Sequence, residues 1–112
     1  MIQVTIFRDS TEDGDVYTGV ELLGHAGFAQ SGQDIVCAAV SALVLNMANS
    51  VETFTDDGYE GEVDERSGGF KFHFTSQISP GSQLLMNSLV LGIQNIVREY
   101  GKKHINIQFK EV

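Results

Sequence analysis

The chain has 112 residues, 42% of them apolar, with seven Lys+Arg against fifteen Asp+Glu and a formal charge of −8. Length and apolar content give a single domain over residues 1–112 that can bury its own core. The charge excludes a phosphate-binding surface, so no nucleic-acid partner is expected; besides keeping the protein soluble, it suits a basic protein partner attracted over about 8–10 Å.

The chain opens on a strand pattern, with Ile2, Val4 and Ile6 on one face and Gln3, Thr5 and Phe7 on the other. DSTEDGD at 9–15 predicts a long acidic turn, and Val16 to Leu23 a second strand that closes a hairpin. GHAGFAQSGQ at 24–33 contains Gly24, Gly27 and Gly32 without periodicity, which predicts a mobile loop. Asp34, a favoured N-cap, then opens a helix to about Thr53. Its apolar residues cover most of the circumference, so burial on several sides is expected, in the monomer core or against a second subunit. Ile35 to Val51 is free of charge over seventeen residues, yet Ser41, Asn46, Asn49 and Ser50 make it too short and too polar for a membrane span.

Tyr59–Glu65 and Phe70–Thr75 read as a second hairpin across Arg66-Ser67-Gly68-Gly69, with Phe70, Phe72 and Phe74 buried and Lys71 and His73 wet. Ser79-Pro80 marks a helix entry, and an apolar stripe from Leu84 to Val97 carries that helix to Tyr100, with Gly101 as its C-terminal cap. Ile105, Ile107 and Phe109 form the last strand. The order ββαββαβ defines an α+β fold: two helices packed against a mixed, largely antiparallel sheet in a single layer pair.

Most polar residues have plain explanations. The acidic groups at 12–15 and 56–65 fall in turns and on a wet strand face, His73 points outward, and His104 begins the last strand. The segment from His25 to Ser41 is different. Cys37 lies three residues beyond the expected cap Asp34, in the first turn, where unpaired N–H groups and the helix dipole favour a thiolate. Ser41 follows one turn along the same face. His25 precedes a glycine-bearing loop long enough to fold back over the helix start. An imidazole beside a thiol generates the thiolate and later protonates a leaving amine, while the Cys37 N–H would face a developing oxyanion.

From the residues alone, two other readings stay open: a non-catalytic acidic binding module with a structural Cys37, and a redox-sensing thiol. One Cys and three scattered His give no zinc spacing, so no metal or organic cofactor is expected. A lone Cys implies a reducing compartment or an isolated reactive thiol, and MIQVTIFRDS lacks a secretory pattern, so a cytoplasmic, membrane-free protein is expected.

Gly24-His25-Ala26, then Gly32-Gln33-Asp34-Ile35-Val36-Cys37-Ala38-Ala39-Val40-Ser41, resembles the signature of the bacterial ribosomal-processing cysteine protease family. The His-to-Cys separation of twelve residues, the Asp three before the Cys and the Ser four after it all fit. Element order and length also agree, so the resemblance covers the whole domain. It implies Cys37 as nucleophile and His25 as general base and acid. Asp34 is then a cap and loop organiser, and Ser41 a support for Cys37. The resemblance further implies a homodimer that removes a short N-terminal extension from large-subunit ribosomal protein number twenty-seven, cutting after an aromatic residue. A basic ribosomal protein precursor would be drawn to the acidic chain; a non-catalytic ribosome-associated module is the alternative. Such cleavage needs an apolar pocket near Cys37, for which Phe28 is a candidate wall or equally a loop anchor, with Gly27 and Gly32 as hinges of a substrate loop.

Overall fold

The computed structural model describes residues 2–23, 31–64, 69–101 and 103–112, with only the backbone for 31–34. The elements are β1 (Ile2–Thr11), β2 (Gly14–Leu23), α1 (Ser31–Phe54), β3 (Tyr59–Asp64), β4 (Gly69–Phe74), α2 (Pro80–Tyr100) and β5 (Ile105–Glu111). Their order is ββαββαβ, as the periodicities predict. The five strands lie in the order β3-β4-β2-β1-β5, and every pairing is antiparallel except β1 with β5.

Strand alternation puts Ile2, Val4, Ile6, Val20, Leu22, Phe70, Phe72 and Ile105 on one sheet face. There they meet Val36, Val40, Val44, Met47 and Val51 of α1, and Met86, Leu89, Val90 and Ile93 of α2. At roughly 1.5–3 kcal/mol for each fully buried side chain, this contact is what holds the two layers together. The other sheet face carries polar rows. Gln108 donates to Thr5 (3.0 Å) and Asn106 to Gln3 (3.2 Å). His73 pairs with Glu21 at 2.8 Å and lies 4.9 Å from the Phe7 ring, so it is a partnered group rather than a solvated one. A Cβ at Gly19 would come within 2.4 Å of His73 Nδ1 and 2.8 Å of the Phe72 carbonyl, which restricts that position to glycine.

Four further expectations need correction. The turn at 9–15 is a tight reversal at Glu12-Asp13, because β1 and β2 pair out to Thr11 and Gly14. Gly14 takes φ +118°, a conformation that L side chains rarely adopt, and the Thr11 hydroxyl closes the turn on the Gly14 carbonyl at 2.6 Å. The first helix starts at Ser31, so Gly32 and Gln33 are helical and Asp34 is not its cap. Asp is favoured both as a cap and within the first turn, so composition does not separate the two positions.

Burial of α1 on several sides is not realised within the monomer. The valine stripe is buried, whereas Ile35, Leu45 and Phe54 are exposed. Residues Ile35–Phe54 have the length and mean hydropathy (1.6) of a membrane span, yet that stripe packs into the domain's own core. Finally, Asp57 is not merely solvated. It accepts from the Ser79 N–H (3.1 Å), the Ser79 hydroxyl (2.6 Å) and the Ser82 hydroxyl. Ser79 in turn caps α2 by accepting from the Ser82 N–H, with Pro80 at the helix start.

The Ser79 hydroxyl, then that of Ser82, hold the Asp57 carboxyl below the usual carboxylate range. A lowered folded-state value stabilises the protein above the ordinary Asp pKa of about 3.9, and this is lost as pH falls through the folded value. Asp57→Asn should therefore lower Tm at neutral pH, with the gap to wild type closing in acid; a gap unchanged in strong acid would contradict the staple. Ser79→Ala should cost about 1 kcal/mol in denaturant unfolding through loss of the cap.

Candidate active site

Burial of Val36, Val40 and Val44 fixes the rotation of α1 about its axis. Cys37, Ser41 and Leu45 occupy the neighbouring flank, each one turn from the last. Cys37 is half-buried, and its Sγ lies 4.0 Å from the Ser41 Oγ. Ser41 also lines a cleft of about 140 Å³, whose apolar walls are Leu22, Val44, Leu45, Val63 and Phe70. Asp64 and Gly69 complete its rim. An apolar cavity of about 150 Å³ accommodates benzene, so this cleft is of a size for one aromatic ring.

The candidate residues are placed unevenly. Cys37 and Ser41 come together as the spacing requires. Asp34 is the fourth residue of α1 and Gly32 the second, which removes the capping role from one and the loop-hinge role from the other. His25, Gly27 and Phe28 lie outside the described residues. Cys37 is the seventh helical residue, beyond the first turn. Its N–H is therefore satisfied by the carbonyl four residues back and is not available to an oxyanion, and the dipole is weak at that distance from the helix end.

Leu22, Val44, Leu45, Val63 and Phe70 were not singled out by sequence as cleft residues. Alternation marks Leu22 and Phe70 as inward one at a time, but their meeting depends on β4 pairing with β2, where Leu22 stands opposite Phe70.

A half-buried thiol beside Ser41, which itself lines a ring-sized apolar cleft, suits nucleophilic attack on a peptide carbonyl, and comparison with known proteins agrees: the chain is a cysteine-type peptidase. A family model described as cysteine protease Prp matches residues 1–106, and the chain belongs to that family. It is 38% identical over 106 residues to the ribosomal processing cysteine protease Prp of Bacillus subtilis (strain 168), covering 89% of this chain and 90% of the relative. A crystal structure of the essential ribosomal processing protease Prp from S. aureus in complex with a substrate peptide superposes with TM-score 0.86 at 27% identity, covering 98% of this chain and 100% of that one. The structure of SMU.848 from Streptococcus mutans gives TM-score 0.82 at 34% identity, covering 100% and 96%.

The position of Asp34 carries its own test. As the fourth helical residue, Asp34 is not the N-cap, a position whose loss costs about 1 kcal/mol. Asp34→Ala should leave Tm nearly unchanged, and a loss of the size of a missing cap would contradict this placement.

Proposed function

We propose that the protein is a cytoplasmic endopeptidase that removes the N-terminal extension of large-subunit ribosomal protein number twenty-seven, cutting after an aromatic residue. The observation that carries this is the shared position of Ser41, in contact with the Cys37 sulfur and on the wall of the aromatic-sized cleft. A ring seated in the cleft lies against Ser41, whose hydroxyl is 4.0 Å from that sulfur. The relatives named ribosomal processing proteases support the substrate class, and a structure of the S. aureus protease with a covalently linked product peptide supports covalent catalysis.

His25 takes the proton of the Cys37 thiol, and the thiolate adds to the scissile carbonyl. Collapse of the tetrahedral adduct expels the leaving amine, to which His25 returns the proton. Water then attacks the thioester and frees Cys37. Ser41 supports the sulfur. Substrate capture draws on the charge of −8, which attracts a basic precursor.

The enzyme acts as a homodimer joined through its helical layer. Ile35–Val51 and Pro80–Val97 contain no charged residue, whereas the chain as a whole is strongly acidic. Leu84 and Leu91 of α2 stand 69% and 57% exposed. Two copies each carrying eight net negative charges approach most favourably through this uncharged, partly apolar surface.

Cleavage of a phenylalanine-containing extension peptide, followed by mass spectrometry, tests the catalytic reading. Cys37→Ser should abolish turnover with the fold intact, and His25→Ala should slow it by about 10² or more. Normal turnover by Cys37→Ser would exclude the nucleophile assignment. For the assembly, Leu84→Asp combined with Leu91→Asp should give monomers in analytical ultracentrifugation, and an unchanged dimer would contradict the helical interface.

A further inference from the structure

Strand β3 is the outermost strand on its side of the sheet among the described residues, and it borders the cleft through Val63. Thr75 N–H donates to the Gly58 carbonyl at 2.9 Å. With the register Tyr59↔Phe74, Glu60↔His73 and Glu62↔Lys71, this makes Gly58, Glu60 and Glu62 the residues bonded toward β4. The backbone groups of Tyr59, Gly61 and Val63 therefore point out from the sheet edge. Gly61 is in the middle of the strand, but no positive φ requires glycine there. Among the described residues, a Cβ at Gly61 would meet only the Lys71 carbonyl, at an ordinary 3.9 Å. A strand-interior glycine often marks a bulge, a tight bend or a close approach by a ligand or another backbone, and the unbroken β3–β4 register shows no bulge here. On the helix-free face of the same strand, Glu60 and Glu62 are exposed. Lys71 opposite Glu62 offsets one charge, and Asp64 extends the acidic row along that face.

We propose that the open edge of β3 takes up an extended, basic segment of the substrate as a sixth strand, its backbone pairing with Gly61 and Val63 and its basic side chains facing Glu60 and Glu62. The inference rests on the peptidase reading and adds to it the surface that holds the chain beyond the cleft. Strand addition gives affinity through main-chain bonds and specificity through alternate side chains. Here alternation sends one set of substrate side chains toward the cleft and the other set toward the acidic row. The occupant is basic and extended because the groove is apolar on one side and acidic on the other.

The test uses a peptide with phenylalanine at the cut and lysines beside it, its affinity for Cys37→Ala measured by fluorescence anisotropy. N-methylation walked along its amides should weaken binding about tenfold or more at alternate positions and little between them. Glu60→Lys with Glu62→Lys should weaken this peptide about tenfold while sparing a version with glutamines in place of the lysines. Gly61→Ala should raise Tm yet weaken binding, a split that a purely structural glycine would not give. Uniform tolerance of N-methylation, unchanged affinity after the double charge reversal, or absence of binding would each overturn the proposal. Wild-type protein that binds the peptide without cutting it would instead overturn the peptidase assignment.

Discussion

The packing of the α1 valine stripe on the sheet sets everything else. Val36, Val40, Val44, Met47 and Val51 recur at helical spacing and are buried along their length. Their burial leaves α1 one rotational setting, and that setting turns Ser41 toward the end of the sheet where Leu22, Val63 and Phe70 meet, with the Cys37 sulfur 4.0 Å from its hydroxyl. A rotation of α1 by one residue position, about 100°, would carry Ser41 away from the cleft and cost several buried side chains at once.

Charge is segregated with equal consistency. The uncharged runs occupy the helices, while the acidic residues are concentrated on strands, turns and the linkers between elements. The fold thus has two surfaces of different character: a helical layer with exposed leucines, and a sheet whose β3 edge is acidic. The site lies where they meet, at the seam between α1 and β3. A basic chain approaching that seam meets favourable charge on one side and apolar walls on the other.

Periodicity made the element order and the core legible, because Phe70, Phe72 and Phe74, and the α1 valines, repeat at the period of the element that bears them. It failed where residue type has two meanings. The acidic run at 9–15 resembles a long loop, but Gly14 permits a tight reversal that lengthens both strands. Asp34 fits a cap and a first-turn residue equally, so residue type alone sets the helix start too late and puts Cys37 in a first turn that it does not occupy. The cleft was invisible for a different reason. Its walls come from β2, α1, β3 and β4, and local pattern says nothing of which strands become neighbours.

Labelling with a chloromethyl ketone peptide ending in phenylalanine probes the role of Cys37 most directly, since it requires both a cleft that takes an aromatic ring and a reactive sulfur within reach of it. One adduct per chain is predicted, on the Cys37 Sγ, formed more slowly in the presence of substrate peptide and eliminating cleavage in proportion to its yield. Full cleavage by protein quantitatively alkylated at Cys37 would contradict the assignment.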